Sequence, residues 1–404
     1  MNKEIKNKAI PKLRFPEFKN SGGWKEKTVS EVAIYENGKA HEQDIVEKGK
    51  YVVVNSKFIS SNGEVRKYTN IASCLAKKGD ILMVLSDVPN GKAIAKCFYV
   101  DLDHQYTVNQ RICRLTPFDA NKILLFYILN RNPYFLAFDD GVKQTNLKNE
   151  DVLGYKFLLP KDTNEQQKIA DCLSSLDELI TAENEKLEAL KGHKKGLMQQ
   201  LFPAEGKTIP RLRFSEFKNS GKWEVDKLGT KGIAYFASEK ITVQKLQLDS
   251  YVSTENLLPN YGGKTIASKL PTSGSFTVFL KDDILLSNIR PYLKKVWFAD
   301  INGATSNDVI VIRHGTKVCA TFLSFLLKND NFINYIMNSA EGVKMPRGDK
   351  DVIKDYPIKF PKPTEQEKIA DCLSSLDDLI KAQAEKIEAL KEHKKGLMQQ
   401  LFPG

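Results

Sequence analysis

The side chains in this chain best suited to chemistry are polar and cationic groups that can read DNA bases. The run Leu286–Trp297 brings an amide, a guanidinium, a phenol and an ammonium close together, at Asn288, Arg290, Tyr292 and Lys294. Arginine can donate two hydrogen bonds to guanine and asparagine can form two with adenine, whereas lysine and tyrosine commonly contact phosphates. We therefore predict a DNA contact here, the alternative for any single side chain being an ordinary solvated surface residue.

The first half of the chain carries a comparable set of polar groups in three short segments. The first contains Asn90 and Lys92, the second contains Gln110 and Arg111, and the third is the polar run Gly141–Asn146, which the run Gly342–Arg347 mirrors in the second half. The residues predicted to contact DNA are Asn90, Lys92, Gln110, Arg111, Lys143, Gln144, Asn146, Asn288, Arg290, Tyr292, Lys294, Lys344 and Arg347.

Motifs for catalysis are incomplete. Two Gly-Lys-Thr runs, beginning at Gly206 and Gly263, resemble the end of a nucleotide-binding loop, but the first glycine of that motif falls on Leu201 and Leu258. Asn132-Pro-Tyr lacks the second proline of the amino-methyltransferase motif, and the five histidines have no triad or metal-ligand spacing. We therefore expect no catalytic centre, no metal site and no cofactor in this chain.

Composition limits the class of protein. The 404 residues, 41% of them hydrophobic, suffice for two or three folded domains, and the net charge of +11 suits a polyanionic partner. None of the six cysteines forms a C-x-x-C pair, which favours reduced thiols. The charged N-terminus and the lack of a long apolar run lead us to expect a cytoplasmic protein without a membrane span.

The elements that would position the polar segments occur twice. Residues 164–203 and 364–403 are identical at 32 of 40 positions, and the arms that begin at Pro11 and Pro210 also match closely. The sequences between these repeated segments differ greatly. A period of about 200 residues is too long for a solenoid and indicates a duplicated domain followed by a helix.

Each repeated segment predicts one long helix, from Asn164 to Leu201 in the first copy. Asn164 and Thr364 are the predicted N-caps, with Gln167 and Glu367 completing capping boxes. Apolar residues recur at alternating intervals of three and four, which is typical of a coiled-coil seam. The predicted seam residues are Leu173, Leu176, Ile180, Leu187, Leu190, Leu197, Leu373, Leu376, Ile380, Ile387, Leu390 and Leu397.

Polar residues interrupt the seam at matching positions, Glu183 or Gln383 and Lys194 or Lys394. If the helices pair antiparallel, the Glu/Gln layer of one helix would lie near the Lys layer of the other. The alternative is that each helix packs separately on its own domain. A helix of this length measures about 55 Å, which corresponds to roughly sixteen base pairs of B-DNA.

The predicted organisation is an α/β (α+β) chain with a pseudo-two-fold repeat. It comprises an N-terminal arm (1–23), a first globular domain (24–160), a central helix (161–203), a linker arm (204–222), a second globular domain (223–360) and a C-terminal helix (361–404). Strands are expected at Tyr51–Val54, 81–85 and 309–312, with one helix per domain, at 122–130 and 318–328.

The chain resembles the DNA-specificity (S) subunits of type I restriction-modification systems. The resemblance covers nearly the whole length and rests on the Glu-Gln-x-Lys-Ile-Ala openings at Glu165 and Glu365, the Lys-Lys-Gly-Leu-Met-Gln-Gln-Leu-Phe endings and the Leu-Arg-Phe-x-Glu-Phe arms. The runs Tyr251–Asn256 and Ser287–Tyr292 also look like that family's recognition domains.

The resemblance implies two target-recognition domains separated by an antiparallel pair of helices. Each domain would read one half of an asymmetric bipartite site in double-stranded DNA, and the helices would set the spacer and seat two methyltransferase (M) subunits. Motor-nuclease (R) subunits would join through the M subunits, and S-adenosylmethionine, ATP and Mg would be bound by those partners. The rival interpretations are a fused restriction enzyme, which lacks any catalytic segment here, and an architectural coiled-coil protein without base readout.

Overall fold

The computed structural model describes residues 9–89, 91–339 and 346–403, which form two compact units. The first unit ends at Asn184 and also includes the chain from Glu385 onward, and the second unit runs from Glu185 to Ala384. Each unit therefore combines one globular region, the first half of one long helix and the second half of the other.

The first unit contains twelve strands and four short helices among its described residues. The strands are β1 (Lys25–Thr28), β2 (Ala33–Asn37), β3 (Ile45–Val46), β4 (Tyr51–Val54), β5 (Tyr68–Thr69), β6 (Ile81–Val84), β7 (Ser86–Asp87), β8 (Cys97–Tyr99), β9 (Tyr106–Val108), β10 (Ile112–Pro117), β11 (Thr145–Asn146) and β12 (Lys156–Leu159). The helices are α1 (Ser56–Ser60), α2 (Lys122–Leu129), α3 (Pro133–Leu136) and α4 (Asn149–Leu153).

These strands form two four-stranded sheets and two strand pairs. The antiparallel sheet has the order β2-β10-β6-β8, and the second sheet, β3-β5-β4-β9, contains a parallel β4–β9 pair. β6 is buried throughout because successive side chains point to opposite faces of a strand and each face has its own core. Ile81 and Met83 pack with the helices, whereas Leu82 and Val84 pack with the second sheet.

The second unit repeats the antiparallel sheet and rebuilds the other one. Its strands are β13 (Glu224–Lys227), β14 (Ala234–Phe236), β15 (Lys240–Thr242), β16 (Tyr251–Val252), β17 (Ser275–Phe279), β18 (Ile284–Ser287), β19 (Val296–Phe298), β20 (Gly303–Thr305), β21 (Val309–His314) and β22 (Pro357–Phe360). The antiparallel sheet is β14-β21-β18-β19, as in the first unit, but the second sheet is β15-β17-β20-β16, so its inner strands differ. The sequence divergence thus corresponds to a change in strand order.

The expectation of one helix per domain is wrong. Helices form near the predicted places, at α2 and at α6 (Ala320–Leu327), but α1, α3, α4, α7 (Asp330–Asn338) and α8 (Lys350–Asp355) are additional. The additional helices in the first unit span only four or five residues, too few to show an apolar period in the sequence. Local caps stabilise several of them, such as the Asn55 side chain, which accepts a hydrogen bond from the Phe58 amide.

The two long helices are α5 (Thr163–Leu201) and α9 (Pro363–Leu401). Both end immediately before Phe-Pro, as predicted, but the predicted caps are wrong because each helix begins one residue earlier. The carboxylate of Asp162 accepts a hydrogen bond from the amide of Asn164 at 2.8 Å, so Asp162 caps the first helix. Gln167 instead bonds to Asn121 and Asp171, and Glu367 has no capping role because Thr364 lies inside its helix.

Within each unit the two half-helices run antiparallel. In the first unit Asp177 pairs with Lys394 at 2.6 Å, and Glu183 pairs with Lys386. Residue numbers therefore increase along one helix as the numbers of their partners decrease along the other. In the second unit Lys194 pairs with Asp377 at 2.5 Å. The seam lysines therefore meet aspartates, and the expectation that they face the Glu/Gln layer is wrong. All twelve predicted seam residues are buried or half-buried.

A buried ion pair attaches the arm to the start of the long helix in each unit. The guanidinium of Arg14 donates two hydrogen bonds of 2.7 Å to the Glu165 carboxylate, and their side chains are only 7% and 1% exposed. Arg213 and Glu365 repeat this geometry in the second unit. The copies differ at the neighbouring tryptophan: the indole of Trp24 donates to Glu165 at 3.2 Å, whereas the indole nitrogen of Trp223 is buried and has no hydrogen-bond partner in the described part of the chain.

We expect Glu165→Gln to destabilise the first unit by about 3–5 kcal/mol, because a buried guanidinium would lose its countercharge. Glu365→Gln should cost less, since no indole depends on that carboxylate. The measurement is the urea midpoint followed by tryptophan fluorescence. Glu188→Gln, which removes an exposed partner of Lys191, is the control and should change stability by less than about 0.5 kcal/mol. Equal midpoints for Glu165→Gln and the control would contradict the assignment.

Candidate nucleic-acid interface

The fold brings the predicted polar segments of the first unit together at the end of β6. β7 pairs with β11, which places Asn146 opposite Ser86, and the Gln144 amide donates to the Ser86 hydroxyl at 2.7 Å. The amide of Leu85 donates to the carbonyl of Arg111 at 2.8 Å. Residues from three separate parts of the sequence thus form one surface.

Carboxylates hold the loops of this surface in place. Asp87 accepts hydrogen bonds from the amides of Val88, Ala93 and Ile94, which fixes the loop that carries Lys92. Asp140 accepts from the amides of Lys143 and Val142, and these hydrogen bonds lower the pKa of its carboxyl. These hydrogen bonds hold the loop backbones in place without a bound partner, which lowers the cost of ordering them on binding.

The second unit uses the same backbone framework with different side chains. The amide of Asn288 donates to the carbonyl of Asp308, as Leu85 does to Arg111, and the amide of Gly348 donates to the carbonyl of Asn288. Ile289 forms a bridge with Arg347 where the first unit has the β7–β11 pair. Asp308 is therefore the counterpart of Arg111, and Asn307 is the counterpart of Gln110.

The loop after β18 has an unusual backbone. Arg290 and Lys294 both adopt left-handed conformations, with φ of 51° and 54°, a region that costs energy for residues other than glycine. Between them Tyr292 is half exposed on a short turn. The amide of Arg290 donates to the carbonyl of Pro346 at 3.0 Å, which secures the loop to its neighbour.

The predicted DNA contacts fall into two groups. Lys92, Arg111, Lys143 and Arg290 are exposed and form no ion pair among the described residues, so they are free to bind phosphate or bases. Two others are already engaged: Lys294 pairs with Asp330 at 2.6 Å, and Arg347 pairs with Asp308. The side-chain oxygen of Asn288 is buried and has no hydrogen-bond partner among the described residues. Asn90 and Lys344 lie outside the described residues.

A polar cavity of about 330 Å³ lies beside Gln110 and Arg111 in the first unit. It is lined by Glu42, Asn55, Ser56, Lys57, Asn109, Gln110, Arg111 and Ile112. The sequence prediction missed Glu42, Asn55 and Lys57, because they come from segments that only the tertiary fold brings to this turn. The side-chain oxygen of Asn109 is buried here and has no hydrogen-bond partner within the described part of the chain.

Comparison with known families identifies the family of the chain. The family model described as the type I restriction modification DNA specificity domain matches the chain twice, over residues 21–192 and 198–392. The chain belongs to this family. The prediction made from the repeated helices and arms is thereby confirmed, and the two matches correspond to two specificity domains in one chain.

Several relatives share this assignment. The MjaVIII specificity subunit of Methanocaldococcus jannaschii is 25% identical over 436 aligned residues, covering 100% of this chain and 96% of the relative. A putative MjaX specificity subunit from the same organism is 26% identical and covers 84% of this chain and 81% of the relative. The crystal structure of the S subunit from M. genitalium has a TM-score of 0.60 at 18% identity, covering 98% of this chain and 99% of that one. Its fold is therefore shared.

Metal-ligand clusters and membrane-spanning helices are both absent from the part of the chain that the structure describes. No group of three or more His, Cys, Asp or Glu side chains is arranged to hold a metal ion in residues 9–89, 91–339 and 346–403. Over the same ranges, no helix combines the length and the apolar character needed to cross a membrane.

His41 is a buried imidazole next in sequence to Glu42, which lines the polar cavity. Its Nε2 lies 3.0 Å from the Thr107 hydroxyl, and its Nδ1 has no partner among the described residues. Burial lowers the pKa of the imidazole, although Asp44 and Glu42 oppose the shift.

Because the folded imidazole binds a proton less readily than the unfolded one, we expect the first unit to lose stability as the pH falls below about 6.5. The slope is at most about 1.4 kcal/mol per pH unit for one proton. Thermal unfolding at pH 7.5, 6.5 and 5.5 measures it, with His41→Gln giving a shallower dependence. Identical slopes for both proteins would show that another group is responsible.

Proposed function

We propose that this chain is the non-catalytic DNA-specificity subunit of a type I restriction-modification complex, in which each unit reads one half of an asymmetric bipartite site. One observation carries the proposal: the same backbone framework presents different side chains in the two units. The hydrogen bond from the Leu85 amide to the Arg111 carbonyl in the first unit corresponds to the bond from the Asn288 amide to the Asp308 carbonyl in the second. The shared backbone framework suits one kind of molecule, double-stranded DNA. The different side chains suit two different half-sites on it.

The charge distribution supports DNA as the partner. In the first unit the exposed cations Arg111 and Lys143, which form no ion pair among the described residues, lie close in sequence to the amide side chains of Gln110 and Asn146. Arg290 is an exposed cation of the same kind in the second unit. Cations on such a surface neutralise phosphates, and amides distinguish base edges. Contacts of both kinds on one rigid surface are what sequence-specific binding requires.

The repeated helices would dock two copies of the same methyltransferase (M) subunit. Leu179 in the first unit is 42% exposed and Leu379 in the second is 54% exposed, on segments whose sequences are almost identical. Ala182 and Ala382 are also exposed one turn further along. Identical apolar positions that remain uncovered in both units match a pair of identical partners, through which motor-nuclease (R) subunits would join.

We expect Leu179→Asp with Leu379→Asp to lower the affinity for the M subunit at least tenfold, because a charge would replace an apolar contact at each docking surface. Binding is measured by titrating purified M subunit onto the chain. Glu188→Gln with Glu388→Gln, on the same helices, is the matched control. Unchanged affinity in the aspartate variant, with its unfolding midpoint preserved, would place docking elsewhere.

The long helices would also set the length of the unspecified spacer. α5 and α9 each span 39 residues, about 58 Å at 1.5 Å per residue. A rod of that length matches roughly seventeen base pairs of B-DNA. S-adenosylmethionine, ATP and Mg would be bound by the partner subunits, and the complex would act in the cytoplasm, where the host DNA lies.

The test is co-expression of this chain with the methyltransferase encoded beside it, followed by methylation-sensitive sequencing of the host DNA. The expected result is one asymmetric motif made of two specific parts and a fixed spacer, and no methylation when this chain is omitted. The rival function, an architectural coiled-coil protein, predicts salt-sensitive binding without sequence preference. Methylation without any bipartite motif would contradict the proposed function.

A further inference from the structure

We infer that Gln110 and Asn307 read one base each in opposite hydrogen-bonding senses: Gln110 accepts from an amino-bearing base, adenine or cytosine, and Asn307 donates to a carbonyl-bearing base, guanine or thymine. The inference rests on the proposed function and adds a chemical prediction for one position in each half-site. It follows from the charged group that contacts each amide.

In the first unit a carboxylate fixes the orientation of the amide. The Nε2 of Gln110 donates to Oε1 of Glu42 at 2.8 Å. Because a carboxylate only accepts hydrogen bonds, the NH2 group of Gln110 must face Glu42. The amide oxygen then points away from Glu42 and is the acceptor available to a partner, beside the one remaining N–H, and both side chains are exposed.

Glu42 is charged at neutral pH. Hydrogen bonds from its own backbone amide, and more weakly from Gln110, lower the pKa of its carboxyl. A carboxylate beside DNA is repelled by phosphates, so its presence in the cavity that Lys57 and Arg111 also line costs affinity for any sequence. That cost is offset where a base edge donates a hydrogen bond to this site. A base without a donor leaves the cost uncompensated and is rejected.

In the second unit an ammonium fixes the opposite orientation. Nζ of Lys240 donates to Oδ1 of Asn307 at 2.6 Å and to the hydroxyl of Thr277 at 3.0 Å. An ammonium only donates hydrogen bonds, so the oxygen of Asn307 must face Lys240. The NH2 group of Asn307 is then available to a partner, beside a positive charge.

The two amides occupy equivalent positions in their units. Gln110 precedes Arg111, whose carbonyl accepts from the residue after β6, and Asn307 precedes Asp308, whose carbonyl accepts from the residue after β18. In each unit this turn leads directly into one of the two inner strands of the antiparallel sheet, β10 in the first unit and β21 in the second. The difference in polarity is therefore a difference in side chains at one place in the fold.

The bases follow from the groups that each edge exposes in the major groove. Adenine N6 and cytosine N4 are donors there, whereas guanine O6 and N7 and thymine O4 are acceptors. The Gln110 oxygen next to a carboxylate matches the first pair of bases. The Asn307 amide next to an ammonium matches the second, and guanine with its two adjacent acceptors suits it best.

The experiment reverses each charge in the complex formed with the co-expressed methyltransferase. Glu42→Lys forces Gln110 to turn its oxygen toward the new ammonium, and Lys240→Glu turns Asn307 the other way. Glu47→Lys and Lys245→Glu are the matched controls, since these exposed residues form no ion pair among the described residues. Motifs are read by methylation-sensitive sequencing and by selection of bound duplexes from randomised DNA.

The expected result for Glu42→Lys is a change from A or C to G or T at one position of one half-site, with the other half-site unchanged. Lys240→Glu should produce the opposite change at one position of the other half-site, and the controls should keep the wild-type motif. Gln110→Ala should lower discrimination at the first position roughly tenfold without a new preference.

Unchanged motifs in both charge variants, or changes at several positions, would overturn the inference. Full discrimination in Gln110→Ala, or complete loss of binding in Gln110→Ala with an unaltered unfolding midpoint, would do the same. A wild-type complex that shows no bipartite motif would instead contradict the proposed function, so the two failures can be told apart.

Discussion

Replacing residues 24–160 with the corresponding segment of another family member is expected to change one half of the recognised DNA sequence completely and to leave the other half unchanged. The physical reason is that every predicted base contact of the first unit lies within that segment. The exchange must preserve the contacts to the helix, in which the Tyr127 hydroxyl donates to Asp177 at 2.7 Å and the Asn121 amide donates to Gln166. Methylation-sensitive sequencing of host DNA reads out the motif.

The reciprocal exchange of residues 223–360 is the matched control and should change only the other half-site. Here the contacts to preserve are those of Cys319 and Lys317 with the Gln366 side chain. If either exchange altered both half-sites while methylation continued, the two units could not be independent readers.

Deleting one heptad from each long helix should shorten the spacer of the recognised site by about three base pairs. Seven residues span about 10.5 Å of helix, and B-DNA rises about 3.4 Å per base pair. Glu185–Lys191 and Glu385–Lys391 are suitable, because the deletion keeps the seam in phase and retains the Asp177–Lys394 and Lys194–Asp377 pairs. The half-sites should be unchanged, since no predicted base contact is removed.

The control for this deletion is insertion of one heptad at the same two places, which should lengthen the spacer by the same amount. The spacer is read from the sequenced methylation motif of each variant. An unchanged spacer in both variants, with both proteins folded and methylating, would mean that the helices do not measure the distance between half-sites.

The repeated elements were predictable from the sequence because their patterns are long and local. An apolar period sustained over 39 residues identifies a helix, and its exact repetition identifies a duplication. The antiparallel pairing was predictable because two nearly identical helices can bury their apolar seams against each other. The first cap was misplaced by two residues, at Asn164 instead of Asp162, because both are residue types that cap helices well.

Which side chains of the candidate surfaces are free was predictable only in part. Arg111 and Lys143 are exposed, as expected of polar residues on turns, and their role in DNA contact stays a prediction. Lys294 and Arg347 were chosen by the same reasoning, but neighbouring carboxylates neutralise them. Glu42 and Lys240 were missed, because their significance comes from contacts with Gln110 and Asn307, about 70 residues away in sequence.

By itself, the sequence determined the duplication, the long helices with their seams, and the family to which the chain belongs. The tertiary structure alone decided which cations remain free and which way each amide points. Helical periodicity is a local property that each segment carries along its length. The availability of a charge or of one end of an amide depends on what stands beside it, and that neighbour comes from elsewhere in the chain.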